Sequence, residues 1–161
     1  MAMNPHVFYS AFVEGNYYDF SNEPDNVRKG INAALSAFHM ADQYFYYYEK
    51  NDPSKISSYT KRKDFLIYLA NTSKYFNDIQ SIANAYKHLY TDIRKSHISI
   101  ASTGCIESII FEQDNIAVDG CERNDDGKFI VIYRTKINRK IKLLEALKDV
   151  VDMWSNILHI T

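Results

Sequence analysis

The chain has 161 residues, of which 46% are hydrophobic and 14% aromatic, and its formal net charge is −1. This length suits one domain with a sizeable core, and the near-zero charge excludes a global attraction to nucleic acid or to an anionic membrane. Two cysteines without metal-ligand spacing and the lack of an apolar run of about 18 residues exclude a disulfide framework and a membrane span, so we expect a cytoplasmic protein.

The first half of the chain carries one long amphipathic pattern. The aromatic-rich residues 7–20 indicate a short helix or an extended arm. Residues 21–24, Ser-Asn-Glu-Pro, are typical of a helix start, because a capping side chain stands just before an early proline. Apolar residues then recur at steps of three and four, which predicts a helix over residues 24–50.

A second amphipathic pattern follows a polar and basic stretch. It begins near Asp64 and continues through Tyr75, Ile79 and Ile82, which predicts a helix over residues 64–93. Residues 71–73, Asn-Thr-Ser, are the weak point of this helix.

Beyond residue 97 the pattern changes to β-branched alternation. It predicts an antiparallel hairpin or meander over about residues 98–134, with a turn at the Asn-Asp-Asp-Gly of residues 124–127. An apolar stripe that includes Trp154 predicts a last helix over residues 138–158. The expected fold is therefore mainly α: a single domain, residues 1–161, in which a helical bundle carries a small antiparallel β insertion before its last helix.

The second predicted helix has a polar face that is the first candidate site. Asn84, Lys87 and His88 lie on this face, away from the apolar stripe. A neutral imidazole could abstract a ribose hydroxyl proton, a lysine could neutralise phosphate charge, and an asparagine could orient either group. We take these residues as the candidate catalytic set; the alternative is an ordinary solvated face.

His39 and Asp42 are the second candidate site. They stand three residues apart on the first long helix, so the carboxylate could fix the imidazole tautomer. Antiparallel packing of the two helices would bring them close to His88 as a supporting polar cluster, and a satisfied hydrogen bond between helices is the alternative. Two His and one carboxylate are too few for us to expect a metal, and we expect no cofactor.

Cations are concentrated at two places. Candidate phosphate-binding residues stand at the junction between the last strand and the last helix: Arg134, Lys136, Arg139 and Lys140. Residues 61–63, Lys-Arg-Lys, add three more cations, and such clusters can bind nucleic acid. The alternative is solvated surface whose charge is offset by the acidic residues of the predicted hairpin.

Residues 44–48, Tyr-Phe-Tyr-Tyr-Tyr, place aromatic rings on all sides of the first long helix. One intramolecular face cannot bury them all, so either the β insertion or a partner covers the other side. We favour a homodimer; a stack for nucleic-acid bases is the minor alternative.

The chain resembles a family of small uncharacterised bacterial helical proteins. The resemblance covers about residues 24–158 and rests on a closing helix with Trp154 and on two segments, residues 32–42 (Asn-Ala-Ala-Leu-Ser-Ala-Phe-His-Met-Ala-Asp) and 78–88 (Asp-Ile-Gln-Ser-Ile-Ala-Asn-Ala-Tyr-Lys-His). More distantly, the helix pair resembles HEPN domains, helical bundles found in RNase toxins, antiphage systems and nucleotide-binding proteins. Their usual signature has an Arg four to six residues before a catalytic His, whereas residues 81–83 here are Ser, Ile and Ala.

The resemblance and the polar face together predict a HEPN-like protein that binds RNA or a nucleotide phosphate. Metal-independent RNase activity would use His88 as base or acid and Lys87 to hold phosphate. The alternative function is a non-enzymatic interaction or structural module that acts as a homodimer.

Overall fold

The computed structural model describes residues 3–91, 102–103, 105–106, 108–111, 116–124, 127–134 and 139–160; for residues 85–91, the strands up to residue 124, and residues 128, 133 and 134 it describes the backbone alone. The described part is mainly helical and places an antiparallel sheet before the last helix, which confirms the predicted fold class. The elements in chain order are α1 (Pro5–Phe8), a π-helical segment (Tyr9–Glu14), α2 (Gly15–Asn22), α3 (Val27–Asn51), a 3-10 turn (Pro53–Ile56), α4 (Arg62–Thr72), α5 (Phe76–Thr91), β1 (Ser102–Thr103), β2 (Cys105–Ile106), β3 (Ser108–Phe111), β4 (Ile116–Asn124), β5 (Gly127–Arg134), β6 (Arg139–Lys142) and α6 (Leu143–Ile157).

The aromatic-rich N-terminal segment is helical, not extended. Pro5 begins α1 directly after Asn4, whose side-chain oxygen accepts a hydrogen bond of 2.9 Å from the backbone N–H of His6. This cap and the proline together favour a helix start at this point. The run from α1 through α2 buries Tyr9 and Phe20 in the core.

Helix α3 is the central element, and it begins after the start that the sequence predicts. Residues 21–22 end α2 and do not begin α3. The cap of α3 is Asn26, whose side chain accepts a 3.2 Å hydrogen bond from the backbone N–H of Lys29. The prediction of a start at residues 21–24 was therefore wrong, because a different polar side chain satisfies the first free N–H groups of α3.

Small residues on α3 allow α6 to approach closely. A Cβ added at Gly30 would lie 2.8 Å from Cδ2 of Leu143. The carbonyl of Ala37 accepts a hydrogen bond of 2.9 Å from Nε1 of the fully buried Trp154. The indole thus fills the core and satisfies its one polar atom at the same contact.

The helix predicted over residues 64–93 is two helices, α4 and α5, and the single-helix prediction was wrong. Ser73, which follows α4, has an extended backbone. Its hydroxyl donates a 2.5 Å hydrogen bond to Oδ2 of Asp149 on α6, and the backbone N–H of Tyr75 donates to the same oxygen at 3.3 Å. A partner from α6 therefore stabilises the break between α4 and α5.

The larger sheet has the strand order β3-β4-β5-β6, with all neighbouring strands antiparallel, and β1 and β2 pair separately as a two-stranded antiparallel sheet. The side chains of Ile130 and Ile132 on β5 are buried in the same core as those of α6. Strand β6 occupies residues that were predicted to begin the last helix, which starts at Leu143 and not at 138. Ile141 lies opposite Ile132 in the β5–β6 register, so pairing with β5 satisfies backbone groups that a helix would otherwise use.

Candidate functional site

His39 and Asp42 lie on one side of α3. Nδ1 of His39 is 3.8 Å from Oδ2 of Asp42, and the two side chains are 45% and 29% exposed. Residues three apart on a helix are neighbours, which accounts for the contact. This distance between the carboxylate and the imidazole is too long for a hydrogen bond.

Arg62, the first residue of α4, completes this group. Its Nε donates a hydrogen bond to Oδ1 of Asp42. Its guanidinium carbon lies 5.9 Å from the centroid of the Phe38 ring, a favourable position for a cation over an aromatic face. We name His39, Asp42 and Arg62 the α3–α4 cluster.

The charge of Asp42 is stabilised within the cluster. Burial raises the pKa of Asp42, but the contacts with His39 and Arg62 outweigh burial and hold the pKa below its ordinary value. The carboxylate is therefore ionised at neutral pH. In this state it fixes the guanidinium of Arg62 beside the partly exposed imidazole of His39.

Two further cations flank the cluster. Lys61 and Lys63 are exposed on either side of Arg62. The carboxylate of Asp64 accepts a 3.0 Å hydrogen bond from the backbone N–H of Lys61, at the positive end of the α4 dipole. Three cations around a helix start form a surface that attracts phosphate.

Sequence reasoning identified Arg62 only as one of three cations in residues 61–63 and missed its bond to Asp42. The carboxylate of Asp42 lies at the margin of the apolar face of α3, and a charged group in this position usually has a hydrogen-bond or ion-pair partner. The partner comes from another helix, 20 residues along the chain. Helical periodicity contains no information on such a contact.

Of the first predicted site, Asn84 is partly exposed on α5, while Lys87 and His88 lie on α5 with side chains outside the described residues. The rings of Phe38 and Phe76 are 6.1 Å apart, so the part of α3 next to His39 contacts the first turn of α5. Residue 88 is about 18 Å farther along the α5 axis. The α3–α4 cluster thus lies near the start of α5, and the predicted catalytic set lies towards its end.

The predicted phosphate-binding residues flank the junction between β5 and β6. Arg134 and Arg139 are paired across the two strands. The side chains of Arg139 and Lys140 are exposed, whereas Lys136 lies outside the described residues. Of the four predicted phosphate-binding residues, the fold therefore places Arg134 and Arg139 directly opposite each other.

The aromatic end of α3 is covered largely by other helices. Tyr44 and Phe45 are buried, and the Tyr44 ring lies 5.3 Å from that of Phe65 on α4 and 6.1 Å from that of Trp154 on α6. Tyr46 remains 49% exposed. Helices α4 and α6 thus cover Tyr44 and Phe45, and the homodimer stays a prediction.

Within the residues that the structure describes, no three His, Cys, Asp or Glu side chains are grouped so that they could hold a metal ion. No described helix combines the length and the apolar character that a membrane crossing requires. Comparisons of this chain with protein-family models, with curated proteins and with solved structures gave no match. The HEPN resemblance stays a prediction, and the site is interpreted from its own geometry.

Proposed function

We propose that the protein binds RNA or a nucleotide phosphate at the α3–α4 cluster and cleaves RNA there without a metal ion. One observation carries the proposal: the ion pair with Asp42 fixes the guanidinium of Arg62 beside the partly exposed imidazole of His39. An oriented cation next to a proton acceptor is what phosphoryl transfer from a ribose requires.

Each residue of the cluster has a distinct role in this reaction. The imidazole of His39 takes the proton of a ribose 2′-hydroxyl, whose oxygen then attacks the adjacent phosphorus. The bond from phosphorus to the 5′ oxygen breaks, and this oxygen takes a proton from water. The products are a 2′,3′-cyclic phosphate and a 5′-hydroxyl. Arg62 stabilises the charge on the phosphate oxygens, and Asp42 positions Arg62 by accepting the hydrogen bond from its Nε.

The surroundings of Arg62 favour an anionic ligand. Asp42 accepts from Nε, which leaves the terminal amino groups of the guanidinium as the donors suited to a phosphate. Asp42 and Asp64 offset two of the three positive charges of residues 61–63, so the exposed Lys61 and Lys63 leave a net attraction of one charge. Binding should therefore weaken as salt concentration rises.

Purified protein, incubated with end-labelled mixed RNA in EDTA, tests the proposal. The variants are His39→Ala, Arg62→Gln and His88→Ala, and His6→Ala serves as the control because it removes another exposed histidine. We expect His39→Ala and Arg62→Gln each to lower the cleavage rate about 100-fold, while His6→Ala cleaves as the native protein does.

The other results contradict the proposal in different ways. Loss of cleavage in His88→Ala alone would show that the active site is on α5, at Asn84, Lys87 and His88, and not at the α3–α4 cluster. Native protein that neither cleaves nor binds RNA at low salt would overturn the phosphate-binding function altogether. Cleavage that disappears in EDTA but returns with a divalent cation would overturn the metal-independent mechanism.

The alternative function is a homodimeric interaction module without enzymatic activity. The observation in its favour is apolar surface on the N-terminal helical run and on α3: Val7 is 55% exposed, Phe12 43% and Tyr46 49%. A second copy of the chain is the proposed occupant of this surface. Sedimentation of the native protein as a monomer, together with RNA cleavage, would reject this alternative.

A further inference from the structure

A cleft of about 490 Å³ lies between α4, the segment that precedes it, and α6. This volume is within the range of about 300–1,000 Å³ that is typical of small-molecule sites. Its lining includes four aromatic residues and two aspartates: Tyr44, Tyr59, Phe65, Tyr68, Asp149 and Asp152. We name this space the α4–α6 cleft; it shares no residue with the α3–α4 cluster.

One wall of the cleft is aromatic. The ring of Tyr59 lies 5.1 Å from that of Phe65 and 5.4 Å from that of Tyr68, between ring centroids. The rings of Phe65 and Tyr44 are stacked at 5.3 Å. Aromatic faces carry negative potential, and a group of them attracts an organic cation more than it attracts an anion.

Helix α6 contributes two carboxylates to the lining of the cleft. Asp149 is fixed because Oδ2 accepts hydrogen bonds from the hydroxyl of Ser73 and the backbone N–H of Tyr75. Asp152 is 57% exposed and pairs with Lys148 at 2.5 Å. An exposed ion pair four residues apart on a helix contributes little to stability, so a bound cation can replace Lys148 at little cost.

The charges that line the cleft favour a cationic ligand. Lys55 and His159 also line it, whereas Lys148, the partner of Asp152, does not, so the lining itself carries two carboxylates and one lysine. We propose that the α4–α6 cleft binds an organic cation, an alkylammonium or guanidinium group whose carbon stem lies on the aromatic wall and whose charge lies beside Asp149 and Asp152. Such a group belongs either to a free polyamine or to a Lys or Arg side chain of another protein.

Titration calorimetry with n-butylguanidinium, and with the uncharged and nearly isosteric N-butylurea, tests the proposal. We expect saturable binding of the cation, and binding of the urea that is at least about tenfold weaker. Asp152→Asn and Tyr68→Leu should each weaken cation binding several-fold. Both side chains are substantially exposed, so these changes leave the core intact.

Two more variants separate recognition from a structural effect. Lys148→Gln removes the competing cation and should strengthen binding, which loss of stability cannot imitate. Tyr18→Leu is the matched control for Tyr68→Leu, because Tyr18 is 66% exposed and does not line the cleft. We expect this control to bind as the native protein does.

Spermidine and N-acetylarginine amide distinguish the two sources of the cation. Tighter binding of spermidine supports a free polyamine as the ligand, and tighter binding of the capped arginine supports a protein side chain. Equal affinity for butylguanidinium and butylurea, native affinity in both cleft variants, or no binding up to about 10 mM, a Kd too weak for a specific site, would each overturn the proposal.

Discussion

The α3–α4 cluster and the α4–α6 cleft lie along the same helix but present opposite chemistry. At the start of α4, Arg62 and its flanking lysines meet a single carboxylate from α3. Farther along α4, Phe65 and Tyr68 belong to the aromatic wall of a cleft that two carboxylates from α6 also line. The first region suits an anion and the second a cation.

The difference shows that the partner helix decides what a stretch of α4 can bind. Helix α4 is short, and its intrinsic pattern is weakly amphipathic, so neighbouring elements determine its exposed and buried faces. Its start is fixed by Asp42 on α3, and its end by the contact of Ser73 with Asp149 on α6. Changes that loosen one of these neighbours should therefore affect one region more than the other.

The largest expected effect follows from removing the Trp154 indole, which packs against two of the rings that line the cleft. Trp154→Ala should lower the free energy of unfolding by about 3–5 kcal/mol, because it removes a fully buried ring and its hydrogen bond to Ala37. The rings of Tyr44 and Phe65 contact this indole and should lose their support. Urea unfolding measures the change, and butylguanidinium binding should weaken in the same variant.

Trp154→Phe is the control for this prediction. It keeps most of the ring volume and loses mainly the N–H donor, so it should destabilise the protein less than Trp154→Ala does. A loss below about 1 kcal/mol in Trp154→Ala would show that the indole does not support the cleft.

The second effect concerns alkaline pH and the aromatic wall. Burial, followed by the nearby tyrosines, raises the pKa of Tyr44 to about 12 from 10.0. The raised pKa favours folding below pH 10, and this contribution is lost as pH rises through the pKa of the folded state. Between pH 10 and about pH 12 the native protein should therefore lose up to about 2 kcal/mol of stability.

Tyr44→Phe keeps the ring and removes the titrating hydroxyl. Its stability should fall less steeply with pH in this window, as measured by urea unfolding at matched pH values. Parallel pH profiles for the native protein and the variant would mean that Tyr44 does not titrate there.

The smallest effect concerns acid pH and the α3–α4 cluster. The pKa of Asp42 in the folded protein lies below its ordinary value. The ionised carboxylate therefore stabilises the fold above the pKa of the unfolded state, and this stabilisation is lost as pH falls through the pKa of the folded state. The side chain is partly exposed, so we expect no more than about 1 kcal/mol.

Asp42→Asn should accordingly be less stable than the native protein at neutral pH, and the difference should be smaller at an acid pH, where Asp42 gains a proton. Urea unfolding at the two pH values measures the difference. A gap that persists unchanged in acid would indicate that the pair with Arg62 contributes through packing and not through charge.

The sequence alone determined the features that depend on residues close to one another in the chain. The spacing of apolar residues in α3, α5 and α6 and the β-branched alternation in the strands are local properties, since each element has its own period. From these properties the mainly helical fold and the sheet before α6 could be predicted. The closeness of His39 to Asp42 follows from helical spacing in the same way.

Only the tertiary structure decided which residues meet across helices. Arg62 bonds to Asp42 from 20 residues away, and Asp149 ends α4 by accepting a hydrogen bond from Ser73 across 76 residues. Strand β6 replaces the first turn of a predicted helix because β5 lies beside it. For Arg62 and Asp149 the energy comes from satisfying a polar group with a partner distant in the chain, and no local pattern specifies that partner. For β6 the partner strand is near in the chain, and pairing with it competes with the helical pattern of the same residues.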